Sequence, residues 1–192
     1  MPREYSKVTF RGKTTDHRTA VMARRVEKAL GVTFYVYQGS YNPGGVGASG
    51  GTHDKGGVLD LNVPGGKDPN AVTRQLRNSG FAAWYRTPDQ GFTPHIHAVD
   101  IGNARLAYNA GLQVGNYNSG GSGLWPLVAG NDPQPFRPTP ATYYAHTDRD
   151  GFDFDAWRDA LTLRQKIANL SDRIKELFRS RKQAKRQLDR LS

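Results

Sequence analysis

Three of the five histidines in the sequence lie, together with Asp60, in two short segments. The segments are GTHDKGGVLD (51–60), with His53 and Asp60, and TPHIHAVD (93–100), with His95 and His97. A catalytic zinc ion is usually bound by three protein ligands and keeps a fourth position for water, and imidazole plus carboxylate is an acceptable ligand set. Because the chain has no cysteine, any metal must be bound by side chains of these two types. The clustering therefore indicates a metal site.

Both segments are predicted to form or to border short β-strands. Alternation along the first strand places Asp60 on one face, and His95 and His97, two residues apart, share a face of the second. If the strands are neighbours, Asp60 and His97 can meet at one ion, while the Gly56-Gly57 turn lets His53 fold back towards them. The residues alone leave a second interpretation open, in which the histidines are structural or exposed strand residues.

The remaining pattern predicts an α+β domain with a mainly antiparallel sheet flanked by helices. Apolar residues recur at helical spacing over 17–30, and Asp68-Pro69 opens a second helix that ends near Ser79. β-Branched and aromatic residues predict further strands, at 32–37 and 81–86.

Composition divides the chain into three parts: a domain over 1–130, a Pro/Gly/Asn-rich linker over 131–152 and a basic helix over 153–192. A Gly/Ser/Asn-rich segment over 39–52 is predicted to be a long loop beside the site, since such loops are uncommon in compact domains unless they serve function. The segment over 115–140 is predicted to be a loop that wraps the domain and then becomes the linker. Apolar residues of the C-terminal part follow a 4-3-4-3 spacing, which is typical of a coiled-coil helix.

The net charge of +10 points to an anionic partner. Half of the excess lies in residues 151–192, where eleven Lys and Arg face six Asp and Glu. This helix is predicted either to pack on the domain or on a second copy in a homodimer, or to bind anionic wall polymers or a membrane surface. A nucleic-acid partner is disfavoured, because it leaves the His/Asp cluster unexplained.

At the level of motif, GTHDKGGVLD resembles the His-x-x-Gly-x-Ala-x-Asp motif of the zinc D-Ala-D-Ala carboxypeptidase and L-alanyl-D-glutamate endopeptidase family, which shares its fold with the hedgehog signalling domain. The longer run QGSYNPGGVGASGGTHDKGGVLDL resembles peptidoglycan hydrolases of actinobacteria and their phages. The likeness covers about residues 10–115. It implies a zinc peptidase domain of the hedgehog/DD-peptidase type within residues 1–130.

The resemblance also implies roles for single residues. His53, Asp60 and His97 take the places of the three zinc ligands. Family members usually carry an acidic general base three residues before the last zinc histidine, where this chain has Pro94. In related zinc peptidases the first histidine of a His-x-His pair does the acid/base work, so His95 is the candidate catalytic residue. The family's substrate-binding arginine is replaced near 38–40, which makes Gln38 and Ser40 candidate substrate contacts.

The expected function is hydrolysis of an amide bond in peptidoglycan stem or cross-link peptides by one Zn²⁺ ion, in a phage endolysin. The alternative is a zinc-stabilised cell-wall binding module with weak catalysis, since the usual carboxylate base is missing. The sequence shows neither the apolar region of a signal peptide nor a membrane span. The expected location is the host cytoplasm until lysis and then the cell wall, and association with the virion is left open.

Overall fold

The computed structural model describes residues 4–138, together with Leu170 and Ile174, and this part of the chain has an α+β fold with three α-helices. The strands are β1 (Lys7–Phe10), β2 (Lys13–Asp16), β3 (Val36–Gln38), β4 (Val58–Leu61), β5 (Phe81–Arg86) and β6 (His95–Asp100). The helices are α1 (His17–Leu30), α2 (Pro69–Asn78) and α3 (Tyr108–Asn118), and single 3-10 turns occupy Gly47–Ser49 and Pro88–Gln90.

The predicted ends of α1 and α2 are confirmed. The Asp16 carboxylate caps α1 by accepting a hydrogen bond from the Thr19 backbone N–H, and Gly31 ends the helix at φ 64° in the left-handed region. Asp68 caps α2 in the same way, and Pro69 follows it at the first helical position, where its missing N–H costs no hydrogen bond.

Strands β1 and β2 form an antiparallel hairpin, and the other four form an antiparallel sheet in the order β3-β4-β6-β5. The central pair is β4 and β6, in which Asp60 lies opposite His97. On the outer side of β6, Trp84 lies opposite His97 and Arg86 lies opposite His95. The mainly antiparallel sheet is therefore as predicted.

The two faces of the four-stranded sheet differ in chemistry. One face buries apolar side chains, and α2 packs on it against β5. The other face carries the polar side chains that oppose one another across the strands, and α3 lies over it, with Tyr117 meeting Trp84 at a ring-centroid distance of 5.8 Å. The apolar face carries Leu59, Leu61, Phe81, Ala83, Ile96 and Ala98, and the polar face carries Gln38, Asp60, Trp84, Arg86, His95 and His97.

A buried ion pair ties α1 to the end of β6. The Arg18 Nε donates to both carboxylate oxygens of Asp100, at 3.0 and 2.8 Å, and both side chains are fully buried. Thr19 and Asn103 donate to the same carboxylate. The charges of Arg18 and Asp100 are thus satisfied inside the protein, on the face of the sheet opposite to the polar cluster.

Several elements differ from the prediction. Helix α3 lies partly inside a segment predicted to be a loop, and it forms although Gly and Asn are poor helix formers because its buried residues pack on the sheet. Strand β3 is shorter and later than predicted, since the backbone N–H of Tyr35 bonds to the Asn62 side chain and a bulge interrupts the pairing with β4. The first residues of the predicted linker lie against the domain, where Arg77 binds Asp132 and the carbonyls of Gln134 and Phe136.

The predicted coiled-coil helix over 153–192 and most of the predicted linker lie outside the described residues. The chain divides into two compact units, residues 1–154 and 155–192. Among the residues that the structure describes, no helix has the length and apolar character needed to cross a membrane.

Removing the cation of the buried pair should destabilise the fold. We expect Arg18→Met to lower the free energy of unfolding by about 3–5 kcal/mol, because it leaves the Asp100 carboxylate buried without its partner. The matched control is Arg24→Met on the exposed side of the same helix, which should change it by less than about 0.5 kcal/mol. Urea unfolding of both variants measures the difference, and equal stabilities would contradict the role given to the pair.

Candidate metal centre

Three predicted ligands meet on the polar face of the sheet. Asp60 from β4 and His97 from β6 are direct cross-strand neighbours, and His53 reaches them from the loop that precedes β4. One ligand atom from each of the three lies within 4.8 Å of the others. His53 is 1% exposed, Asp60 9% and His97 6%, so the cluster is shielded from bulk water and could hold a metal ion.

The loop that carries His53 is held at both ends. The backbone N–H of Asn42 donates to the His53 carbonyl at 2.9 Å, and the Tyr41 N–H donates to the Lys55 carbonyl at 2.9 Å. Gly57 then turns the chain into β4 with φ 84°, and its N–H donates to the Asp16 carboxylate at 2.8 Å. The predicted Gly56-Gly57 turn therefore brings His53 back towards β4. Asp16, which caps α1, also stabilises this turn.

The orientation of His53 fits a metal ligand. Its Nδ1 lies 2.9 Å from the Gly39 carbonyl oxygen, which can only accept, so the proton is on Nδ1 and the lone pair is on Nε2. That Nε2 is buried, has no hydrogen-bond partner, and lies 3.3 Å from Oδ2 of Asp60. A buried lone pair directed at a carboxylate is unfavourable in an empty protein interior, and a cation between the two groups removes the conflict.

His97 is oriented by Gln113, a residue on α3 that the sequence did not indicate. The Gln113 side-chain amide donates to the Gly123 carbonyl at 2.9 Å, which turns its Oε1 towards His97 Nε2, also at 2.9 Å. His97 therefore donates from Nε2 and presents Nδ1 to Oδ1 of Asp60 at 2.8 Å. Metal-ligating histidines usually donate their other N–H to an oxygen acceptor in this way.

Protonation of the cluster supports the same conclusion. Burial lowers the pKa of His97, and the neighbouring Asp60 does not restore it, so the neutral imidazole is favoured. Burial alone would raise the pKa of Asp60, but the two neighbouring imidazoles, His53 and His97, outweigh it and hold the pKa well below its usual range. The low pKa of His97 disfavours a proton between its ring and the Asp60 carboxylate. A neutral imidazole and a carboxylate that face each other in this way are in the protonation states that metal ligands require.

His95 lies at the edge of the cluster, on the same face of β6 as His97. Its Nδ1 donates to the Thr93 carbonyl at 2.6 Å, which leaves the lone pair of Nε2 free. Nε2 lies 3.7 Å from Oδ1 of Asp60, and the side chain is 14% exposed. His95 therefore reaches both the cluster and the solvent.

An open cleft leads to the cluster. Its volume is about 370 Å³, and His53, Asp60, His95 and His97 all line it. Its walls come from Val46, Ala48, Ser49, Gly50, Thr52, Arg86, Gln90, Phe92, Gln113, Gly123, Leu124 and Trp125. A metal ion at its base would thus keep access to a ligand of small-peptide size.

The structure places the two predicted substrate contacts away from the surface of this cleft. Ser40 is buried, and its hydroxyl donates to the Val58 carbonyl at 2.8 Å and accepts from the Val58 N–H at 3.0 Å. Gln38 accepts a hydrogen bond from Ser49, a residue of the cleft wall, at 2.8 Å, while its Nε2 is buried without a partner. Ser40 therefore links the end of β3 to β4. Gln38 bonds to a residue of the cleft wall but does not line the cleft itself.

A comparison of the chain with family models, with curated proteins and with solved structures found no match.

Substitution of Asp60 should remove metal binding without a change in side-chain size. We expect Asp60→Asn to abolish stoichiometric uptake of a divalent ion, because the carboxylate supplies the negative charge of the site. Asp54→Asn is the matched control, since Asp54 is an exposed carboxylate in the same loop and should keep full uptake. Metal analysis after dialysis and titration with a chromophoric chelator measure both variants, and equal uptake would refute the site.

Substitution of Gln113 should weaken the site without removing a ligand. We expect Gln113→Ala to lower metal affinity by about 10- to 100-fold, because His97 loses the acceptor that fixes its ring. Asn118→Ala, at an exposed position on the same helix, should leave the affinity unchanged. Competition with a chelator of known affinity gives both values, and an unchanged affinity in Gln113→Ala would rule out a positioning role.

Proposed function

We propose that the protein is a zinc-dependent peptidase of bacterial peptidoglycan, with His53, Asp60 and His97 as zinc ligands and His95 as the acid/base residue. The observation that carries the proposal is the His53 Nε2 atom, which is buried without a hydrogen-bond partner 3.3 Å from the Asp60 carboxylate and at the base of an open cleft. Two imidazoles, one carboxylate and an accessible fourth position form the ligand set of catalytic zinc sites. The same donor set also binds Fe²⁺, so the choice of zinc rests on the resemblance of the two motifs to those of zinc peptidases.

Zinc bound here would supply a Lewis acid that lowers the pKa of water and polarises an amide carbonyl. His95 supplies the proton transfer. Its Nε2 is unprotonated in the tautomer that the Thr93 carbonyl imposes, so it can accept a proton from the attacking water and later donate it to the departing amine. Because its side chain is partly exposed, His95 can also exchange protons with solvent between cycles.

The peptidoglycan substrate is supported by the resemblance of residues 38–61 to wall hydrolases of actinobacteria and their phages, which also supports a role as an endolysin. Pro94 lies where that family places an acidic base, and β6 instead brings the His95 imidazole within 3.7 Å of Asp60. The absence of the usual base is thus compatible with hydrolysis. A binding module without catalysis would have no need for a third, proton-accepting imidazole beside the two histidine ligands.

Digestion of purified peptidoglycan tests the proposal. We expect the zinc-loaded protein to release new amino groups and peptide fragments, and mass spectrometry of the fragments identifies the bond that is cut. His95→Gln should keep zinc and lose about 10²- to 10⁴-fold in rate, which is the usual contribution of a general base. Asp60→Asn should lose both. Binding to the wall with no release of peptides by the zinc-loaded protein would favour the binding module and overturn the proposal.

A further inference from the structure

The cleft contains one buried cation besides any bound metal. Arg86, at the end of β5, is 3% exposed and lies opposite His95 in the pairing of β5 with β6. Burial lowers the pKa of Arg86 to about 10, so its guanidinium is still charged at neutral pH. A charged group in this position needs a structural or a functional reason.

The hydrogen bonds of Arg86 are incomplete. Its Nη1 donates to the Ser122 carbonyl at 2.8 Å, and the rings of Trp84 and Phe92 lie 5.2 and 6.0 Å from its central carbon. A guanidinium has five N–H donors, and no carboxylate within residues 4–138 forms an ion pair with this one. Donors therefore remain for a group that is not part of the described chain.

The other two buried arginines of the described residues are different. Arg18 is paired with Asp100 at 2.8 Å, and Arg77 is paired with Asp132 at 2.6 Å. Both arginines also bond to backbone carbonyls, so they have the partners that a structural buried cation requires. Arg86 is the buried arginine that lacks a carboxylate, and it is also the one that lines the metal cleft.

Arg86 lies between two cavities. It lines the metal cleft, which has a volume of about 370 Å³, and also a second cavity of about 310 Å³. Gln90 lines both cavities as well. The side chain of Arg86 is two residues along β5 from Trp84, which lies opposite the ligand His97, a separation of roughly 7 Å. A peptide bound at the metal could thus place a neighbouring group against the guanidinium.

Charge favours an anion at this place. Among the described lining residues of the metal cleft, Asp60 is the one carboxylate and Arg86 is the one arginine or lysine. A divalent ion together with Arg86 outweighs the single negative charge of Asp60, so the occupied cleft is positive. Guanidinium matches carboxylate in geometry, with two parallel N–H to O bonds.

We propose that Arg86 is a specificity-determining residue that binds a free carboxylate of the substrate peptide beside the bond that is cut. The assignment rests on the proposed function for the identity of the substrate, and on the unpaired guanidinium for the identity of the bound group. A carboxylate at the end of the peptide and a carboxylate on a side chain offer the same chemistry, and the ligands of the experiment distinguish them.

The test measures binding without cleavage. The full-length, zinc-loaded His95→Gln protein is titrated calorimetrically with a synthetic stem peptide, with its C-terminal amide and with a version whose side-chain carboxyl is an amide. We expect one of the two amides to bind about 10- to 100-fold more weakly than the acid, as for loss of one charge-assisted pair. The amide that loses affinity identifies the carboxylate. Equal binding of all three peptides, or binding of none, would overturn the assignment.

A second variant ties the preference to Arg86. Adding Arg86→Gln should weaken the acid peptide about 10- to 100-fold and remove the preference, whereas adding Arg24→Gln, at an exposed position on α1, should keep both. A preference that survives in Arg86→Gln would refute the role of this residue. If Arg86→Gln does not fold, the three peptides on the parent protein still decide whether a carboxylate is selected. Release of peptides from peptidoglycan without any carboxylate preference would leave the proposed function standing and this inference wrong.

Discussion

The antiparallel pairing of β4 with β6 is the constraint on which the site depends. This register places Asp60 directly opposite His97, with both side chains on the same face of the sheet. A shift by one residue would turn Asp60 to the apolar face and replace it by Leu59 or Leu61, so the register that buries the core also assembles the cluster. The buried apolar residues that alternate with the polar ones in β4 and β6 therefore fix the geometry of the site and also stabilise the fold.

Buried carboxylates on the two sides of the sheet have different surroundings. Asp16 and Asp100 accept hydrogen bonds from backbone N–H groups, the Arg18 guanidinium and the Asn103 amide, so their charges are satisfied by donors. Asp60 faces imidazole nitrogens whose other ring nitrogens already donate to Gly39 and Gln113. The first arrangement is complete as it is, and the second becomes favourable when a cation is present.

The cleft joins polar groups to a partly apolar rim. Its base contains the three candidate ligands and His95, Arg86 forms part of the wall, and Trp125 at the mouth is 63% exposed. Helix α3 closes one side, where Gln113 reaches His97 and Tyr117 packs on Trp84. The same helix thus orients a ligand and covers the polar face of the sheet.

The sequence by itself determined the cluster and the elements that carry it. Strand periodicity predicted the faces of Asp60 and His97, which could meet if their strands were neighbours, and the motif resemblance implied His53, Asp60 and His97 as the ligand set. Helices α1 and α2 were also predictable, since their caps are local signals. Tertiary structure decided the surroundings of Gln113, Arg86 and Ser40. Gln113 belongs to a Gly- and Asn-rich helix that is stabilised by packing on the sheet. The Arg86 guanidinium is unusual because no carboxylate of the described residues forms an ion pair with it. The Ser40 hydroxyl is hydrogen-bonded to the backbone of β4. None of these three facts is local, because each depends on contacts between residues far apart in the chain.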